Sequence, residues 1–115
     1  MTAASKSERL AFLRQAYAQS RVARRAGDID RAWRHLERAH IVAQPLAIAH
    51  MASHLRMLAF AMTIRDGREI GGQLFRLALA PLGNLARKLP IGNTGRAHIS
   101  AFAPMPVPHD LTHFA

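Results

Sequence analysis

Residues 28–65 constrain this chain more than any other stretch. They read as two helices joined by a turn, Ala43-Gln44-Pro45, so short that the helices must be antiparallel neighbours. The first, over 28–43, is capped by Asp28 or Asp30 and repeats Ile29, Trp33, Leu36, His40 and Ala43 every three or four residues. Pro45 cannot sit inside a helix but suits the first turn of the next one, which therefore spans 45–65. That helix is apolar nearly all round, as expected of the central helix of a small bundle.

The inner faces of this pair hold most of the chain's potential chemistry. His50 and His54 lie one turn apart on one face, and Glu37 and His40 are one turn apart on the preceding helix. Folding at Pro45 sets His40 opposite His50 and Glu37 opposite His54. Neutral imidazole and carboxylate together suit zinc, iron, nickel, copper or manganese, so Glu37, His40, His50 and His54 are the candidate ligands. Glu37-Arg-Ala-His40 has the Glu-x-x-His form used by di-metal carboxylate bundles. Its second copy and the extra glutamates are missing, so a mononuclear ion or a haem held by one histidine fits the count better. The same spacing also admits a structural cluster: core histidines bonded to a carbonyl or an acid, with Glu37 and His40 as a buried ion pair.

The flanking segments complete an all-α fold. Ser5 and Glu8 form a capping box that opens a helix over 5–26, with Leu10, Leu13, Ala16, Tyr17 and Ser20 on one side and Gly27 past its end. After Asp66-Gly67 a fourth helix spans 67–80 and is expected to bury Ile70, Leu74, Phe75 and Ala78. Pro81 should interrupt it, and Leu85 to Leu89 offer a further turn. From residue 90 to 115 an irregular, Pro-rich strap is expected to pack on the helices through Ile99, Phe102, Met105 and Val107. The expected architecture is four helices in two antiparallel hairpins. A small–large–small echo between Ala32-Leu36-Ala39 and Gly71-Phe75-Ala78 makes tetratricopeptide-like packing an option.

Bulk properties narrow the function classes. A chain of 115 residues makes one domain, and without cysteine it has no disulfide, thiolate metal site or thiol nucleophile. Asp, Glu and Ser are too scattered for a nucleophile triad, and no Gly-rich phosphate loop exists, so any enzymology would have to come from a bound metal. The formal charge of +9 suits an acidic protein partner. Nucleic acid is disfavoured, because the arginines are spread over all the helices and only one Trp and one Tyr accompany them. The N-terminus lacks the apolar core of a signal peptide, and Arg56 with two histidines argues against a membrane span over 45–64, which leaves the cytoplasm as the expected compartment.

Two segments carry a family resemblance: Ala32-Trp-Arg-His-Leu-Glu-Arg-Ala-His-Ile with His50 and His54, and Leu89-Pro-Ile-Gly-Asn-Thr-Gly with Ser100-Ala-Phe and Pro104-Met-Pro-Val-Pro. Over Arg31 to Leu111 the chain resembles a small bacterial family catalogued as domain of unknown function 3703. The resemblance implies no activity. Arg96-Ala97-His98 departs from the Gly-Ala-Asn more usual there, so His98 is assigned no role. The leading expectation is a binding protein with a histidine-lined site for a transition metal or haem. The alternative is a non-catalytic, helical-repeat-like interaction module, with homo-oligomers possible in either case.

Overall fold

The computed structural model of the chain describes residues 4–86 and 90–115. Residues 1–3, on which the signal-peptide argument partly rests, and 87–89, where a further turn was expected, lie outside them. Four helices pack together: α1 (Lys6–Arg25), α2 (Ile29–Ala43), α3 (Ala47–Thr63) and α4 (Gly67–Ala86). No strand occurs among the described residues, and no helix there is long and apolar enough to cross a membrane.

Local chemistry sets the helix ends. The Ser5 hydroxyl accepts from the Glu8 N–H at 3.1 Å, and the Asp28 carboxylate accepts from the Arg31 N–H at 3.0 Å, each satisfying a donor with no partner inside the helix. Gly27 turns the chain between α1 and α2 at φ +78°, where a side chain would be strained. Pro45 lies in the turn and not in the first turn of α3, which starts two residues later at Ala47. Arg65 takes the left-handed conformation, φ 58°, in the tight turn into α4.

α1 packs on α2, and α3 on α4. Arg9 near the start of α1 donates to the Val42 carbonyl at the end of α2 (2.9 Å), while Ser20 donates to the Ala32 carbonyl near its start (2.9 Å), so the two run in opposite directions. Between them, Leu13, Ala16, Tyr17, Trp33, Leu36 and Ala39 are buried, and Trp33 meets Phe60 of α3 edge-on at 4.7 Å. Each large apolar side chain removed from water here contributes about 1.5–3 kcal/mol.

Three expectations need correction. α3 is not buried all round: Ile48, Leu55 and Met62 face water, because α1, α2 and α4 cover only part of its circumference. α4 does not stop at Pro81 but continues to Ala86, and its buried residues are Glu69, Gln73, Arg76 and Ala80. Leu74, Phe75 and Ala78 are exposed, and Ile70 is half-buried against the core. The polar stripe wins the interior because Glu69, Gln73 and Arg76 each find partners there, only Arg76 Nε being left without one among the described residues, and a buried polar group is costly chiefly when unpartnered.

The tail also differs from a wholly irregular strap. Met105 donates to the Ile91 carbonyl (3.0 Å) and Val107 packs on the core, but Phe102 is exposed. The last residues, His109–Phe114, form a 3-10 helix that buries Leu111 and Phe114. Phe114 packs on Phe12 with ring centroids 5.3 Å apart, and its carbonyl accepts from Arg9 at 2.6 Å.

Candidate metal centre

The turn at Gln44-Pro45 brings α2 and α3 together so that three imidazoles converge. His40 Nε2 lies 3.2 Å from His50 Nε2 and 3.1 Å from His54 Nε2, and the three side chains offer ligand atoms that all fall within 4.8 Å of one another. His40, His50 and His54 are 2, 5 and 2 % exposed. The spacing of four residues between His50 and His54 places both on the face of α3 that meets α2.

The second nitrogen of each ring is held from outside the cluster. His40 Nδ1 donates to the Asn93 carbonyl at 2.7 Å, which can only accept. His50 Nδ1 donates to Asn84 Oδ1 at 2.7 Å. The Asn84 amide is oriented by its own Nδ2, which donates to the Gln44 carbonyl at 2.8 Å. His54 Nδ1 donates to Gln73 Oε1 at 2.8 Å, and Gln73 Nε2 donates to Glu69 (2.7 Å) and to the Gly95 carbonyl (2.9 Å). In the neutral state all three rings therefore carry their proton on Nδ1. Three Nε2 lone pairs then point at one another. Outer partners of this kind fix the tautomer and the aim of metal-binding imidazoles.

Burial dominates the electrostatics. Desolvation lowers the pKa of all three histidines, that of His40 well below the ordinary value and that of His54 to about 4. For His40 the neighbouring imidazoles add to the effect, and the bond to the Asn93 carbonyl opposes it. Neutral imidazole is the metal-binding form.

Glu37 is not brought to the cluster, and the expected opposition of Glu37 to His54 is replaced by His40 meeting both His50 and His54. Three residues along a helix leave Glu37 about 60° round from His40, and there it faces Arg96, with 3.6 Å between Nη1 and Oε2. Burial raises the Glu37 pKa, and Arg96 opposes the rise. His98, His109 and His113 are exposed, and His35 is half-buried; none joins the three.

The shell around the imidazoles is what the sequence did not reveal. Asn84 reaches His50 only because α4 continues past Pro81, which leaves the Leu77 carbonyl without its usual helical donor. Glu69, 3 % exposed, accepts from Gln73, from Arg96 Nε at 2.5 Å and from the Ala97 N–H at 3.1 Å. Arg96 also stacks over Trp33 at 3.8 Å from the ring centroid. Gly95, φ +83°, closes the site: a Cβ there would stand 2.9 Å from the His40 ring. One signal for this shell was present, the spacing of Glu69, Gln73, Arg76 and Ala80 along a single helical stripe.

Comparison with known proteins adds the family but no activity. No curated protein and no solved structure matches the chain. A family model described as "Protein of unknown function (DUF3703)" matches residues 7–114, and with nearly the whole chain inside that match, the protein belongs to this family.

Proposed function

We propose that the protein binds a single transition-metal ion through His40, His50 and His54. The observation that carries this reading is the set of three Nε2 atoms, each turned inward by an Nδ1–H bond to an acceptor, with separations of 3.1 and 3.2 Å about His40. Lone pairs so placed repel one another unless a cation sits among them. Four-coordinate metal–nitrogen bonds of about 2.0–2.1 Å require nitrogens about 3.3–3.4 Å apart, a few tenths of an ångström from the separations here. An all-imidazole set suits zinc, copper, nickel or iron, whereas magnesium and calcium prefer oxygen donors. A haem fits less well, because three clustered and nearly inaccessible imidazoles leave no room for a porphyrin face against any of them. The interaction-module alternative predicts an apolar groove rimmed by arginines, and the cleft where Arg21, Arg24 and Arg56 flank Tyr17, Leu36 and Phe60 has that form; it does not account for three buried imidazoles turned toward one another.

The test is metal analysis of protein purified without an affinity tag, followed by titration of the chelated protein with zinc, copper, nickel and iron. One equivalent bound, with a rise in melting temperature, is the expected result. The His54→Ala variant should bind at least about 100-fold more weakly, since even outer-shell changes at such sites cost 10–100-fold. Absence of bound metal, with no thermal shift for any of the four ions, would refute the proposal in favour of a hydrogen-bonded histidine core.

A further inference from the structure

The outer faces of α3 and α4 have no role in the metal reading. Ile48, Leu55 and Met62 recur at intervals of seven along α3 and are 86, 53 and 59 % exposed. On α4, Leu74 and Leu85 are 55 and 83 % exposed, and Ala78 lies between them on the same side. The two stripes adjoin. His54 faces α4 through Gln73, and Met62, Leu55 and Ile48 lie about 80–120° further round α3. Leu74, Ala78 and Leu85 lie about 100–140° round α4 from Gln73, on the side where Ile70 meets the core. Two antiparallel helices thus present one continuous apolar surface, and a soluble monomer rarely exposes a large one.

The charge distribution says what covers it. Along α3 the only Lys, Arg, Asp or Glu is Arg56, whose guanidinium stacks on Tyr17 of α1, away from this surface. Between Ile70 and Ala86 the only one is Arg76, which is buried. Among the described residues this face is therefore neutral between its ends, with Arg65 and Arg68 only at the turn into α4, while eight of the arginines of this +9 chain stand on α1 and α2. An acidic partner or an anionic lipid surface would be met by basic residues beside the apolar stripe, and among the described residues the stripe carries none. Another neutral apolar face meets it without charge repulsion. The spacing of seven on α3 is the one by which helices interlock along a seam, and small Ala78 between large leucines leaves holes for knobs. We propose that the α3–α4 face is the contact surface of a two-fold symmetric homodimer, in which α3 and α4 of two copies form a four-helix bundle.

Sedimentation equilibrium of the full chain, across a dilution series and both with and without chelator, tests this. The expected mass is twice 12.7 kDa, whatever the metal content, so the outcome is independent of the metal reading. Leu55→Glu and, separately, Leu85→Lys should each give monomer with unchanged helical circular dichroism, because both side chains are exposed within one chain. Val22→Glu, at an exposed apolar position on α1, should leave the dimer intact. A wild-type monomer at every concentration would overturn the proposal. So would a dimer that survives both α3–α4 substitutions, or a monomer that co-sediments with phosphatidylserine vesicles.

Discussion

In α1 and α2 the inward residues are mostly apolar, Leu13, Ala16, Trp33 and Leu36 among them, with Arg9 and His40 as buried exceptions, and the other arginines are largely turned to water; in α3 and α4 the inward residues include His50, His54, Glu69 and Gln73, and Leu55, Met62, Leu74 and Phe75 face water. The first half is an ordinary amphipathic pair. The second half is turned partly inside out, and the difference teaches where function sits. An interior filled with polar groups is stable only if each one is partnered, so these side chains are fixed by one another and not by packing alone. That rigidity is what a metal site requires. The apolar groups displaced to the surface form the face proposed above to meet a second copy of the chain.

The sharpest way to break this contrast is to remove a charge from the polar interior. Arg96→Ala would strip Glu69 of its counter-ion while leaving the carboxylate buried, and would also remove the stack on Trp33. Loss of one partner of a buried pair costs about 3–5 kcal/mol, which is most of the stability of a small domain. Chemical denaturation should show that loss. Adding Glu69→Gln to Arg96→Ala should recover part of it. If the single variant is as stable as the wild type, the interior is not held by this network.

Acid should act on the same polar interior. Burial keeps the three histidines neutral in the folded chain, with His54 at about 4, whereas an unfolded histidine titrates near 6.5. Between those values the unfolded chain binds more protons, so stability rises with pH through the window and is lost as pH falls from about 6.5 toward about 4. For His54 alone the loss is a few kcal/mol, at about 1.4 kcal/mol for each pH unit. Denaturation of chelated protein at a series of pH values measures the slope. The His54→Phe variant should flatten it, and an equal slope in both proteins would place the acid-sensitive groups elsewhere.

These expectations also show why half of the site could be read from sequence and half could not. His40, His50 and His54 follow from helical spacing and a short turn, both local properties. Glu37 has the same kind of spacing, yet its direction is decided by Arg96, nearly sixty residues away, which no local pattern announces. In α4 two stripes compete, Leu74-Phe75-Ala78 and Glu69-Gln73-Arg76. Hydropathy alone favours burying the first; the second wins because His54, Arg96 and the carbonyls of Gly95 and Ile99 are waiting for it. Asn84 was hidden by Pro81, since a proline ordinarily ends a helix.

A milder change separates affinity from folding. Gln73→Met keeps the volume near His54 but removes the amide that aims its ring and joins it to Glu69. Metal affinity should fall about 10–100-fold, the usual cost of losing an outer-shell partner. The protein should stay folded, because Arg96 and the Ala97 N–H still hold Glu69. Competition against a chelator of known affinity gives the value, and unchanged affinity would mean that packing alone orients His54.

The smallest effect belongs to the other half, where a comparable ion pair sits in water. Arg38 grips Asp110 with two hydrogen bonds, at 3.1 and 2.5 Å, and thereby holds the Asp110 carboxyl below the usual range. The Asp110 side chain is 65 % exposed. Solvent and salt screen such a pair, and its attraction barely offsets the cost of ordering two side chains. The 3-10 helix around it is anchored instead by Leu111 and Phe114 and by the bond from Arg9 to the Phe114 carbonyl. Asp110→Ala should therefore leave the melting temperature unchanged at low and high salt, and metal affinity with it. A shift approaching that of Arg96→Ala would mean that the two halves share one mode of stabilisation, and the contrast between an apolar and a polar interior would lose its force.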